Sequence, residues 1–479
     1  MSVVHSCPRV LIAGLGGGSG KTIVSLGLAR AFSEQGHRVQ TFKKGPDYID
    51  AKWLTLASHT ITSNLDPFLL PSPVLQNLFW YRALQADISL IEGNRGLYDG
   101  KDVAGTYSSA ELAKVLQCPV LIVADCTKVS RTMAALLLGL CVFDPEVNIQ
   151  GVVLNRAAGR RHQTVLRQTI EQYTGLRVVG ILPKLQTNPI PERNMGLVAE
   201  TELETDPLDG LSVLVRDHVD LDTVWGVAAT APGSTISPEP IFFHSGAHPT
   251  TMPMVRIGVA RDAALWFYYQ ENLDALRHAG AEIVEFSLLD DATVPEVHAL
   301  YLGGGFPEIM AKMLAENISM KKSIRSHIEQ GMPTYAECGG LMYLGRALEY
   351  NGVSYSMADA VPVATRVCAK PQGHGYVRAM IQTANPFFSL GSALTGHEFH
   401  YSHCPELPPS AEFVFSMVRG QGIAQGVDGI LYRNCLAGYV HIHALGHAEW
   451  AYNFVAAAAQ YKDCVQQGVR CGDIRLQGG

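Results

Sequence analysis

The chain has 479 residues, 47% hydrophobic and 17% charged, with 46 glycines and a formal net charge of −7. That length exceeds one ordinary domain, and the mild acidity gives no reason to expect a nucleic-acid or membrane-surface partner, although local cationic loops can still bind an anionic small molecule. The ten cysteines contain no CxxC pair, no apolar run reaches the ~18 residues of a membrane span, and no basic segment followed by a long apolar core opens the chain, so the expected setting is the cytoplasm.

In chain order, Arg9–Gly14 reads as a buried strand and Lys21–Gln35 as a helix. Between them runs a glycine-rich loop, Gly14-Leu-Gly-Gly-Gly-Ser-Gly-Lys21-Thr22. The backbone N–H groups of Gly17, Gly18, Ser19 and Gly20 can turn towards phosphate oxygens, and the following helix N-terminus favours an anion. Lys21 would neutralise the β and γ phosphates of ATP, and the Thr22 hydroxyl would ligate Mg2+. The strict pattern has glycine at position 15, where this chain has Leu15.

Further strands are expected at Val39–Lys43, Ile88–Glu92, Pro119–Asp125, Ile149–Leu154 and Leu176–Leu182. Continuous apolar runs separated by helices imply a mainly parallel sheet covered on both faces. Two acidic clusters sit at strand ends: Gly45-Pro-Asp47-Tyr48-Ile-Asp50, and Glu92-Gly-Asn-Arg-Gly-Leu-Tyr-Asp99. Carboxylates there can supply magnesium ligands, with Glu92 first and Asp47 next.

Ala231–Pro253 is rich in Pro, Ser, Thr and Gly and reads as a linker. It divides a domain of residues 1–230 from one of residues 254–479. The α/β rhythm restarts with a strand at Arg256–Ala260, a helix at Trp266–Ala279, and strands at Glu282–Phe286, Ala299–Leu302 and Pro333–Ala336. The fold class is therefore α/β, in two three-layer domains.

In the second domain, Pro333-Thr-Tyr-Ala-Glu337-Cys338-Gly339-Gly340 reads as a strand, a sharp turn and a helix start. Such an elbow lifts a nucleophile clear of a sheet. Gly304 and Gly305, ending an earlier strand, can supply an oxyanion hole through their N–H groups. His441 is the candidate base, and strand alternation would put His443 on the same face. His397 and His400 are candidates for lining or bracing a substrate cleft.

GPDYID, Asn64-Leu-Asp-Pro, EGNRGLYDG and Gly396-His-Glu-Phe-His-Tyr-Ser402 together resemble the cobyrinate a,c-diamide synthases over nearly the whole chain. The resemblance implies a dethiobiotin-synthetase-like ATPase domain followed by a class I glutamine amidotransferase domain. It implies that Thr22, Asp47 and Glu92 sit by magnesium, that Tyr48 and Asp50 lie in the region where substrate is activated, and that Asn155 reads the adenine edge. The implied partners are glutamine and an anionic cyclic tetrapyrrole, and a homodimer is compatible with it. Common triad amidotransferases have glutamate where this chain has His443, a departure that the diamide synthases share. Family members usually read Pro-Glu-Arg-His-Leu-Gly-Leu-Val where this chain has Asn194 and Met195; the missing histidine, together with FKKGPDYIDA and EGNRGLYDG, looks more like the sirohaem-amidating branch linked to dissimilatory sulfur metabolism. Two alternatives stay open: a cobyric-acid-synthase-like amidase of other side chains, and a partitioning-type ATPase with an inert second domain. Gly16 weighs against the second, because those ATPases carry a signature lysine there.

Overall fold

A computed structural model describes residues 4–187, 189–190, 192–193, 196–197, 206–241, 254–424 and 426–476. The chain forms two compact units that divide between Ile241 and Phe242. Part of the expected linker belongs with the first unit: Ser234 forms a bridge with His5, and Glu239 bonds to Asn77. Residues 242–253 lie outside the described residues, as do Asn194 and Met195.

The first unit is built on strands β1 (Arg9–Gly14), β2 (Val39–Lys44), β3 (Ser63–Leu65), β4 (Ile88–Gly96), β5 (Val120–Asp125), β6 (Ile149–Ala157) and β7 (Arg177–Pro183). They form one sheet in the order β3-β2-β4-β1-β5-β6-β7, and every pairing is parallel. Helices α1 (Lys21–Glu34), α2 (Tyr48–Ser58), α3 (Ser72–Ala83), α4 (Ser109–Val115), α5 (Thr132–Phe143), α6 (Arg160–Thr174), α7 (Leu208–His218) and α8 (Leu221–Ala229) complete the unit, with a short hairpin of β8 (Glu192–Arg193) and β9 (Gly196–Leu197). All six residues of β1 are buried, as a central strand covered on both faces requires. Because β2, β4 and β1 are neighbours, the loops leaving their carboxyl ends meet at one edge, where open α/β sheets place their ligands.

The second unit carries a nine-stranded mixed sheet. Its parallel half is β10 (Val255–Ala260), β12 (Ala281–Phe286), β13 (Ala299–Leu302), β15 (Thr334–Glu337) and β24 (Cys435–Gly438), all as expected from buried apolar runs except β24. The antiparallel half is β19 (Gly373–Ile381), β20 (Ala393–His400), β22 (Glu412–Arg419) and β23 (Val427–Tyr432). The order is β12-β10-β13-β15-β24-β23-β22-β19-β20. A side sheet holds β16 (Ala347–Tyr350), β17 (Val353–Ser356), β18 (Ala364–Val367) and β21 (Ser402–His403). Helices α9 (Gln270–His278), α10 (Ala311–Glu316), α11 (Ile318–Glu329), α12 (Gly339–Leu344) and α13 (Trp450–Gln466) flank the main sheet, and buried side chains form one apolar cluster around Leu302, Ile324 and Leu341 and another around Tyr301, Leu276 and Phe454.

The helix expected at Trp266–Ala279 begins later. Leu265–Phe267 is a strand, β11, that pairs antiparallel with β14 (Gly304–Gly305), and α9 starts at Gln270. The run Trp266-Phe-Tyr-Tyr269 is aromatic, and such residues fit a pleated surface better than a helix start. This short strand matters because it fixes the glycine segment beside the Cys338 elbow.

Candidate active sites

In the first unit the glycine loop turns through left-handed backbone at Gly18 (φ 71°) and Gly20 (φ 93°), and α1 then begins at Lys21. A Cβ on Gly20 would fall 2.1 Å from Asn155 Nδ2, so only glycine fits there. Asn155 donates to Ser19 O at 3.0 Å, and Arg156 donates to Gly18 O at 3.0 Å. The loop is thus braced from the end of β6. Lys21 is buried and donates to Gly16 O at 3.3 Å; burial lowers its pKa, against the pull of Glu92. Gly18, Gly20, Lys21, Thr22, Asn155, Arg156 and Lys184 line a cleft at this edge.

Thr22 Oγ1 donates to Glu92 Oε1 at 2.7 Å, joining α1 to β4. The same carboxylate oxygen accepts from Lys43 Nζ at 2.8 Å, and Lys43 also donates to Asp50 Oδ2 at 2.5 Å. Lys43 is 2% and Glu92 1% exposed. Burial alone would drive the Lys43 pKa down; Asp50, Glu92 and Asp47 outweigh it and hold the ammonium charged. Burial raises the Glu92 carboxyl despite Lys43. Asp47 caps α2 by accepting from Asp50 N at 2.9 Å; withdrawal from water, with Asp50 adding, pushes its pKa up to about 7. Asn64 Nδ2 donates to Gly45 O at 2.8 Å and Asp47 O at 3.0 Å, which explains why the Asn-Leu-Asp-Pro block accompanies GPDYID. Tyr48 opens α2 beside this cluster.

The donors suit magnesium. Thr22, Glu92 and Asp47 offer hard oxygens, and Glu92 Oε2 is buried without a hydrogen-bond partner, a cost that a cation would relieve. Among the described residues no group of three or more His, Cys, Asp or Glu is arranged to hold a metal. An ion there would draw on nucleotide and water oxygens, as magnesium usually does. Lys43, which sequence reasoning did not single out, stands between the two acidic clusters. Its only sequence signal was a charged residue inside a buried strand.

In the second unit Cys338 lies between β15 and α12, with left-handed backbone (φ 47°, ψ −97°), and is 5% exposed. Its N–H donates to Gly438 O at 2.7 Å. A Cβ on Gly339 would come within 3.0 Å of Gly305 N, and one on Gly304 would lie 2.6 Å from His441 Cε1. Glycines therefore bring the elbow, the candidate oxyanion segment and the candidate base together. Burial pushes the Cys338 thiol pKa up, with Glu308 and Glu337 adding to it. A thiolate at rest is thus disfavoured, and attack calls for a base to take the proton.

His441 is held by paired backbone bonds with His397 (3.0 and 2.8 Å), and the two rings stack at 4.9 Å. Burial holds His397 well below the usual histidine range, with His441 and His443 adding to the effect. His441 Nδ1 lies 3.4 Å from Glu337 Oε2. The alternation expected to align His441 with His443 is not carried by a strand, since β24 ends at Gly438. His443 instead caps a short 3-10 turn, accepting from Leu445 N at 3.3 Å, with its Nε2 3.8 Å from Glu271 Oε2. His400 stacks on Tyr439 at 3.7 Å and its Nδ1 faces Ser402 O at 2.7 Å. It points to the opposite side of β20 from His397, as strand alternation demands. Glu337, Asp428 and Glu271 were not found from sequence. The first stands next to Cys338, a position that reads simply as part of the turn.

Residues 10–198 match the model of the CobQ/CobB/MinD/ParA nucleotide-binding domain, and residues 256–449 that of the CobB/CobQ-like glutamine amidotransferase domain. The cobyrinate a,c-diamide synthase of Magnetococcus marinus is 41% identical, over 93% of this chain and 96% of that one. Those of Archaeoglobus fulgidus and Methanosarcina barkeri are 39% and 38% identical, over 95% and 96% of this chain and 98% of each relative. No helix of the described residues is long and apolar enough to cross a membrane. With identity sustained along nearly the whole of both chains, and with the two domain models falling one on each compact unit, this chain belongs to the cobyrinate a,c-diamide synthase family of ATP-dependent, glutamine-hydrolysing amide ligases.

Proposed function

We propose that this enzyme amidates the peripheral a and c acetate carboxylates of an anionic cyclic tetrapyrrole, using ATP to activate each acid and glutamine as the nitrogen source. The observation that carries the reading is the left-handed elbow at Cys338, set against Gly304–Gly305 and His441 in a chain that also holds the Lys21–Thr22–Glu92 phosphate cleft.

In the first unit Lys21 and the loop N–H groups hold the nucleotide phosphates, while Thr22, Asp47 and Glu92 hold magnesium. When bound, the ion offsets negative charge on the phosphate oxygens. Transfer of the γ-phosphoryl group to a substrate carboxylate gives an acyl phosphate, converting a poor leaving group into a good one. Tyr48 and Asp50 border this activation step, and Asn155 borders the adenine.

In the second unit Cys338 attacks the glutamine amide, His441 takes the thiol proton, and the N–H groups of Gly304 and Gly305 face the developing oxyanion. Ammonia leaves and the thioester is hydrolysed to glutamate. Ammonia then displaces phosphate from the acyl phosphate.

Cys338→Ala should abolish glutamine-driven amidation and keep the ammonium-driven reaction; loss of both would refute the division of labour. Lys21→Ala should stop amidation and spare slow glutamine hydrolysis. Cobyrinate is the substrate that the names of the relatives support. Asn194, where the family usually has histidine, favours sirohaem as a second reading. Mass spectrometry of parallel incubations decides between them, with a loss of about 1 Da for each acid turned to amide.

A further inference from the structure

We propose that Glu337 positions His441 as the base for Cys338, standing in for the triad glutamate whose place in the sequence His443 occupies. The inference rests on the reading of Cys338 and His441 as the glutaminase pair. A histidine base needs a partner that holds its Nδ1–H, so that the Nε2 lone pair is kept for the nucleophile.

Glu337 is built for that part. Its Oε2 lies 3.4 Å from His441 Nδ1. Its Oε1 accepts from Ile442 N at 3.2 Å, and Oε2 also accepts from the Tyr301 hydroxyl at 3.2 Å. Asn272 Nδ2 donates to that hydroxyl at 3.2 Å, extending the support to α9. Glu337 is 1% exposed, so its charge acts through little screening. The parallel pairing of Glu337 with Gly438 sets the chain leading to His441 directly alongside. A contact of 3.4 Å is long for a charged hydrogen bond, and such contacts tighten when the imidazole gains its proton.

His443 is the wrong group for the task. Its own Nδ1 is engaged by Leu445 N. Burial, with His447 adding, depresses its pKa to about 3, so it stays neutral and brings no negative charge to His441.

The Cys338 S–H proton passes to His441 Nε2 as sulfur bonds to the amide carbon and the carbonyl oxygen takes the electron pair. The imidazolium then gives that proton to the departing nitrogen, the C–N bond breaks, and ammonia leaves. Glu337 remains a carboxylate throughout and stabilises the transient imidazolium.

The test is glutaminase kinetics on the full chain. Glu337→Gln should lower kcat by about 10²- to 10⁴-fold with KM for glutamine little changed, while Glu337→Asp restores part of the rate. In a His441→Ala background the same Glu337→Gln change should cost less than about threefold, because a positioning residue has nothing left to position. An equal cost in both backgrounds, or a near-normal kcat for Glu337→Gln, overturns the positioning role. Should Glu337→Gln fail to fold, Tyr301→Phe carries the test: it should lower kcat in the otherwise wild-type chain and not in the His441→Ala background, and equal effects overturn the proposal. Wild-type glutaminase in Cys338→Ala would instead refute the nucleophile assignment beneath it.

Discussion

At the scale of single residues the first unit turns on Lys43. Two carboxylates, the buried Glu92 and the partly buried Asp50, share its one ammonium. Lys43→Met would leave them uncompensated, and breaking a buried pair typically costs about 3–5 kcal/mol. The expected result is a large fall in the unfolding midpoint; a midpoint within a degree or two of wild type would contradict it. In the second unit Gly304→Ala would set a methyl 2.6 Å from His441 Cε1. Glutaminase kcat should fall by about tenfold or more with the fold retained, and full activity would show that the ring has room to move. The candidate residues legible in advance are those whose proposed chemistry follows from neighbours in the chain: Lys21 and Thr22 after a glycine loop, Cys338 before two glycines. Lys43 and Glu337 were not, because their partners lie 49 and 104 positions away along the chain. Such contacts depend on strand register, which no local pattern reveals.

Elements were legible where they were buried on both sides. All seven strands of the first sheet lie within apolar or mixed runs, and the six predicted from pattern differ from the observed strands chiefly at their ends. The antiparallel half of the second sheet escaped notice, since its strands carry polar and apolar residues without a long uniform run: β19 alternates in burial, and β22 is half exposed. The segment after β24 shows how an irregular stretch is nonetheless fixed. Asp428, on β23, accepts from Tyr439 N at 3.0 Å and Val440 N at 2.9 Å, just ahead of His441. Burial pushes its carboxyl pKa from the usual 3.8 up to about 6, in spite of those N–H donors. Between pH ~4 and ~6 the folded chain therefore holds a proton here that the unfolded chain has released, so this group's contribution to stability falls as pH rises. Asp428→Asn cannot titrate. The stability of wild type relative to this variant should decline across that window, and a flat or rising difference in denaturant unfolding would be evidence against it.

For the whole molecule, two compact units with separate sheets and separate cores imply separate thermodynamic behaviour. A non-hydrolysable ATP analogue at about 100 times its Kd should stabilise the first unit by about 2.7 kcal/mol. Calorimetry should show one transition moving and the other staying in place; a uniform shift of all the heat absorption would mean that the two melt as one. The division into two α/β domains was readable from the change in composition after residue 230, but the first ten or so residues beyond it pack with the first unit through contacts to His5 and Asn77. The left-handed backbone at Cys338 also has an evolutionary consequence. Holding a side-chain-bearing residue there costs on the order of 1–3 kcal/mol, so Cys338→Gly should tolerate heat better than Cys338→Ala, reversing the customary ranking of those two residues. Breeding this protein for thermal endurance, with no demand for turnover, would favour loss of the sulfur at position 338.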